Sequence, residues 1–197
     1  MGKILGRRYR FVDDYKKQVY VGANGRSKQR IIYIGQWVCP QNDEAAYKRI
    51  VLISRIAVGV LVLALVGALL VVPLPYENKW YMPVTAVAFF PLAYAVMGVF
   101  RMPDRVKPME RQRFANSFER ARGAAIASLI ILGIAMLAYI VCTVLILTKV
   151  IGNQTFTLRD GAYALCMALA GAACLTVVRE TKKIKTELRE NAACKPE

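Results

Sequence analysis

Four long apolar runs constrain this chain more than any other feature. They cover residues 50–72, 80–100, 124–148 and 161–178, and only the first carries a charge inside it, Arg55 beside Ser54 near its start. A hydrocarbon core of roughly 30 Å is crossed by about 20 apolar residues of helix. Inside it only helices and closed barrels satisfy the backbone. A soluble helix bundle shows a polar face on each helix, and these runs are apolar all round. The sequence therefore predicts an all-α integral membrane protein with four transmembrane helices in a domain spanning 40–178.

The charge pattern orients those helices. Of the 28 Lys and Arg, 24 fall in segments 1–49, 101–122 and 179–197, and only Lys79, Lys149 and Arg159 fall in the two short intervening loops. Because positively charged loops stay on the cytoplasmic side, both termini and the 101–122 loop are expected in the cytoplasm, with the plasma membrane as the expected location. Tyr76, Trp80 and Tyr81 at the outer boundary read as an interfacial aromatic belt. The first apolar run starts too late for a cleaved signal peptide, so none is expected.

The N-terminal segment 1–39 has a different texture. Short alternating runs at 8–12, 18–21 and 30–34 read as strands, and Asn24-Gly25 is a hairpin-turn signal because both residues tolerate positive φ. A small cytoplasmic β-hairpin or meander follows. It is too small to stand alone, so it is expected to lean on its own helices, on lipid or on a partner. Residues 40–44 look like a helix start running into the first span, and segment 179–197 reads as a charged tail that extends the fourth helix toward Leu188.

Three further groups of residues stand out. In the 101–122 loop, Phe114 and Phe118 are four apart and ringed by Arg111, Arg113, Arg120 and Arg122, a composition suited to an anionic lipid headgroup layer. Pro91 sits mid-span, where a proline removes a hydrogen bond and kinks a helix. Ala164, Ala168 and Ala172 form a row of small residues on the fourth helix, with shorter rows at Ala64/Ala68 and Ala124/Ser128; such rows let helices approach closely in lipid.

Function is bounded mainly by exclusion. The chain has no histidine, which removes Ser-His and Cys-His catalysis and His-ligated metal. The five cysteines form no CxxC pair, so a redox centre or zinc ribbon is not expected, and Cys166 and Cys174 read as small apolar fillers of a helix face. No carboxylate lies near a midplane, which argues against proton-coupled transport. The carboxylates Asp104, Glu110 and Glu119 show no spacing that sets them apart from a solvated face. Neither catalytic residues nor cofactors are expected, and the basic segments are explained by topology rather than nucleic acid. The reading is a non-catalytic accessory or regulatory subunit of a larger membrane assembly, meeting anionic lipid and another membrane protein or itself. The alternative is a small oligomeric transporter or channel for an uncharged or weakly polar solute.

Overall fold

The computed structural model describes residues 14–21, 27–71, 81–148 and 157–189. Two strands, β1 (Tyr15–Val21) and β2 (Ser27–Tyr33), form an antiparallel hairpin in the register Tyr15↔Tyr33 to Val21↔Ser27. The predicted turn residues Asn24 and Gly25, and the run at 8–12, lie outside the described residues. A third strand, β3 (Trp37–Pro40), leads into α1 (Glu44–Val71). The second span is divided into α2 (Tyr81–Val87) and α3 (Phe89–Phe100). After a two-residue strand β4 (Met109–Glu110), one continuous helical stretch holds α4 (Arg111–Phe114), a π-helical turn (Ala115–Glu119) and α5 (Arg120–Leu147). The chain closes with α6 (Leu158–Lys182) and β5 (Thr186–Arg189).

Among the described residues, four helical stretches are long and apolar enough to cross a membrane: Glu44–Val71, Tyr81–Phe100, Arg111–Leu147 and Leu158–Lys182. Their outward faces carry large apolar side chains, with Leu63 74 % exposed, Leu70 79 % and Phe90 74 %. In water that perimeter would be strongly unfavourable; against lipid it is not. The architecture fits a multi-pass membrane protein. Along the axis, α1 packs on α6, and α5 packs on α6 and on α2 and α3.

The break in the second span falls where Pro91 requires it. Proline has no N–H to give the carbonyl four residues back, that of Val87, and its ring crowds that carbonyl. The helix is interrupted at Ala88, whose N–H turns to the Thr85 carbonyl (3.0 Å), and the α-helical pattern resumes with Leu92 N–H to Ala88 O (3.1 Å).

Small residues line the helix contacts, as packing in lipid favours. Ala64, Ala68, Ala124 and Ser128 are all buried, in agreement with the rows read at those positions. The row on α6 behaves differently. Ala164 is half-buried, whereas Ala168 and Ala172 are exposed. The helix turns Tyr163, Met167, Ala170, Ala173, Cys174 and Val177 inward instead. This rotation places the Tyr163 hydroxyl beside Thr85 inside the bundle. Cys142, Cys166 and Cys174 pack in the helical core as thiols, while Cys39 in β3 is disulfide-bonded.

A second sheet was not foreseen. β3 is its centre, pairing antiparallel with β4 (Trp37↔Glu110, Val38↔Met109) and with β5 (Trp37↔Arg189 to Pro40↔Thr186). The predicted helical extension to Leu188 is therefore incorrect: α6 ends at Lys182, and the tail folds back as a strand. Asn42 holds that return with both ends of its amide, donating to Lys183 O (3.1 Å) and accepting from Lys185 N–H (3.0 Å). Strand pairing thus brings the N-terminal segment, the 101–110 loop and the tail to one end of the bundle.

Gly98 marks a close helix contact. A Cβ there would lie 2.7 Å from the Ala121 backbone N and 2.9 Å from its Cα, so α3 and α5 would have to separate. Gly98→Ala is expected to lower stability by about 1–3 kcal/mol. Gly59→Ala, where nothing lies within 4 Å, should be neutral or slightly stabilising. Thermal unfolding of the two variants in one detergent checks the contrast.

Candidate functional site

The basic end of the bundle is built from the segments that β3 gathers. Arg55, the one charge inside an apolar run, reaches out of α1 to this end. Its guanidinium pairs with Asp104 (2.7 Å) and donates to the Met102 carbonyl (3.2 Å), fixing the loop that leaves α3. Nearby, the Tyr47 hydroxyl, Ser54 Oγ and Arg55 Nε are buried with no hydrogen-bond partner among the described residues.

The hairpin is fastened to this end through aromatic rings and two phenols. Tyr15, Tyr33 and Trp37 stack edge-to-face in sequence, with centroids 5.2 and 5.3 Å apart. The Tyr15 hydroxyl reaches the Glu110 carboxylate (3.0 Å) and the Gln112 side-chain oxygen (2.9 Å). Tyr33 donates to Gln36 O (2.6 Å) and accepts from the Arg111 N–H (3.2 Å). Partial burial, and then the hydrogen bond to Glu110, push the Tyr15 phenol up to about 12; burial raises that of Tyr33 as well. Beyond this anchor the ribbon is open: Val19 is 61 % and Ile31 66 % exposed. Their paired positions, Val19↔Gln29 and Lys17↔Ile31, put both on one face of the hairpin.

The residues singled out for lipid headgroups divide into two sets. Arg113 and Arg122 are exposed, and Arg111 is half-buried. Arg120 is half-buried too; it donates to Asn116 Oδ1 (3.0 Å) and sits 6.0 Å from the Tyr94 ring centroid. Phe118 is not a surface contact. It is 3 % exposed, stacked on the half-buried Phe114 (5.2 Å) and against Tyr47 (6.2 Å). The extra residue of the π-helical turn rotates Ser117 and Phe118 into the core and leaves Asn116 beside the loop.

That rotation opens a cavity of about 400 Å³ between the loop and the π-helical turn, lined by Arg101, Pro103, Lys107, Met109, Arg113 and Asn116, among others. The sequence reading missed Arg101, Lys107 and Asn116 as a group. Pro103 and Pro108 bracketing a short basic stretch were the available signal. The loop carboxylates do not converge on the cavity as an acid–base pair: Asp104 is held by Arg55 and Glu110 by Tyr15.

The opposite end carries a polar node inside the bundle. Thr157 gives both its N–H (3.0 Å) and its hydroxyl (2.6 Å) to Asp160 Oδ2, Tyr81 OH lies 3.4 Å from Asp160 Oδ1, and Tyr139 donates to the Asp160 carbonyl (2.9 Å). Thr85 Oγ1 sits 2.6 Å from the Tyr163 hydroxyl and directs its own proton to Tyr81 O (3.1 Å), which makes Tyr163 the donor. Tyr81, expected in an interfacial belt, is instead 2 % exposed and in ring contact with Tyr139 and Tyr163. The node joins α2, α5 and α6. Among the described residues no group of three or more Cys, Asp or Glu gathers to hold a metal. No protein-family model matches the chain, and neither a curated protein nor a solved structure matches it significantly.

Two outcomes follow. The docked hairpin holds the Tyr15 proton beyond the ordinary phenol pKa of about 10. Its contribution is therefore complete below pH 10 and is lost as pH rises through about 12. Trp37 emission in a Trp80→Phe background should change over that interval, and Tyr15→Phe should remove the step. At the other end, Asp160→Ala leaves the Thr157 N–H and the Thr157 and Tyr81 hydroxyls unsatisfied and should cost about 2 kcal/mol in thermal or denaturant unfolding.

Proposed function

We propose that this chain is a non-catalytic, multi-pass membrane protein that acts as an accessory or regulatory subunit of a larger membrane assembly. Its termini and the 101–122 loop face the cytoplasm, and the plasma membrane is its location. The charge asymmetry supports that orientation, since the three basic segments lie at one end of the bundle. The observation that carries the subunit reading is the hairpin: rigidly anchored by Tyr15, Tyr33 and Trp37, yet presenting Val19 and Ile31 on one exposed face. An ordered apolar face held clear of the bundle suits protein docking. The arginines around it suit an anionic leaflet.

The second reading, a small oligomeric transporter or channel for an uncharged or weakly polar solute, is favoured by the outward-facing Ala168 and Ala172 on α6. Small residues on a lipid-facing surface permit close helix contact between copies.

Purification from native membranes in mild detergent, followed by native mass spectrometry, separates the two. The subunit reading expects a stoichiometric second polypeptide. Val19→Lys combined with Ile31→Lys should reduce its recovery at least tenfold, with insertion and unfolding temperature unchanged. A homo-oligomer lacking any second chain overturns that reading in favour of transport.

A further inference from the structure

We propose that the cavity between the 101–110 loop and the π-helical turn is a binding site for a phosphate-bearing anion, and that it takes the headgroup of an anionic phospholipid. Its volume of about 400 Å³ falls within the roughly 300–1,000 Å³ range of small-molecule sites. Three cationic side chains, Arg101, Lys107 and Arg113, converge on it. Arg101 and Lys107 make no ion pair with any described residue, and Arg113 has only Glu110, at 3.8 Å. Like charges gathered around one space repel one another, and an anion relieves that cost.

The neutral lining group has the same polarity. Arg120 occupies the side-chain oxygen of Asn116 (3.0 Å), so the amide NH₂ of Asn116 is left to donate. Ser117, 1 % exposed, spends its proton on the Arg113 carbonyl (2.8 Å) and braces the turn. Guanidinium, ammonium and amide donors around one cavity match phosphate oxygens. The remaining wall is apolar, from Pro103, Pro108 and Met109, and accommodates the glycerol and first methylenes of a lipid. Position agrees: Arg101 directly follows Phe100, which is 64 % exposed at the end of an apolar span. The cavity therefore opens where acyl chains give way to headgroups. The proposal rests on the membrane reading of the spans and is independent of what the hairpin docks.

Native mass spectrometry of the full chain, exchanged into micelles holding equal phosphatidylglycerol and phosphatidylcholine, tests it. Phosphatidylglycerol adducts should exceed phosphatidylcholine adducts at least tenfold. Arg101→Gln/Lys107→Gln/Arg113→Gln should abolish the preference, whereas Lys16→Gln/Lys17→Gln/Arg30→Gln, with the same charge change on the hairpin, should keep it. Adducts that survive excess glycerol 1-phosphate assign the site to lipid. Displacement by it, with saturable binding of glycerol 1-phosphate to the wild type alone, supports the phosphate site with a soluble ligand. Absence of any preference, or equal loss in both triple variants, overturns the proposal. If the first triple variant does not fold, Asn116→Asp carries the test. It keeps the acceptor for Arg120 and adds a negative charge to the lining, so an unchanged preference overturns the site. Loss of a protein partner in the hairpin variant leaves these readings unaffected.

Discussion

The pairing of β3 with both β4 and β5 is the interaction on which the arrangement of this molecule depends. Of its four residues, Trp37 and Val38 pair with the end of the 101–110 loop, and all four, Trp37–Pro40, pair with the C-terminal tail. Without that ladder the three basic segments would be independent appendages of four apolar helices. With it they form one end with defined side-chain positions: Trp37 meets Tyr33, Met109 joins the buried cluster with Val38 and Tyr47, and the π-helical turn is set against the loop. Both the anchored hairpin and the cationic cavity exist because this short strand is central rather than at an edge.

The two ends of the bundle handle polarity in opposite ways. At the basic end, charge is left available: Arg101, Lys107 and Arg113 surround a space with one carboxylate in distant reach. At the other end, polar groups are consumed internally. Asp160 caps α6 and meets Tyr81 and Tyr139, while Tyr163 and Thr85 satisfy each other. In a low-dielectric interior an unpaired polar group is costly, so a saturated node favours one helix arrangement.

Individual residues show how far the sequence could be read. Pro91 was read as a kink because the missing N–H is a property of the residue alone, and the helix is interrupted three residues earlier, at Ala88. Phe118 was misjudged. A four-residue spacing from Phe114 implies a shared α-helical face exposed to headgroups, and a π-helical turn changes which side faces the core. The α6 alanine row makes a related point: spacing identifies a face but not its direction, and Ala168 and Ala172 face away from the bundle while the hydroxyl of Tyr163 meets Thr85 inside it. Strand β5 carried no usable signal, since Thr-Glu-Leu-Arg following a charged helix end reads equally well as more helix.

The sequence by itself determined the four apolar helices, their approximate limits, the two strands of the N-terminal hairpin and the gathering of positive charge into three segments. Those features follow from composition and periodicity along the chain, because hydrocarbon leaves the backbone no partner but its own helix. Only the tertiary structure decided which helix faces turn inward, that the tail returns as a strand beside β3, and that Arg101, Lys107, Arg113 and Asn116 surround one space. Each of these depends on partners distant in the chain, and their energy comes from contacts that no local pattern encodes.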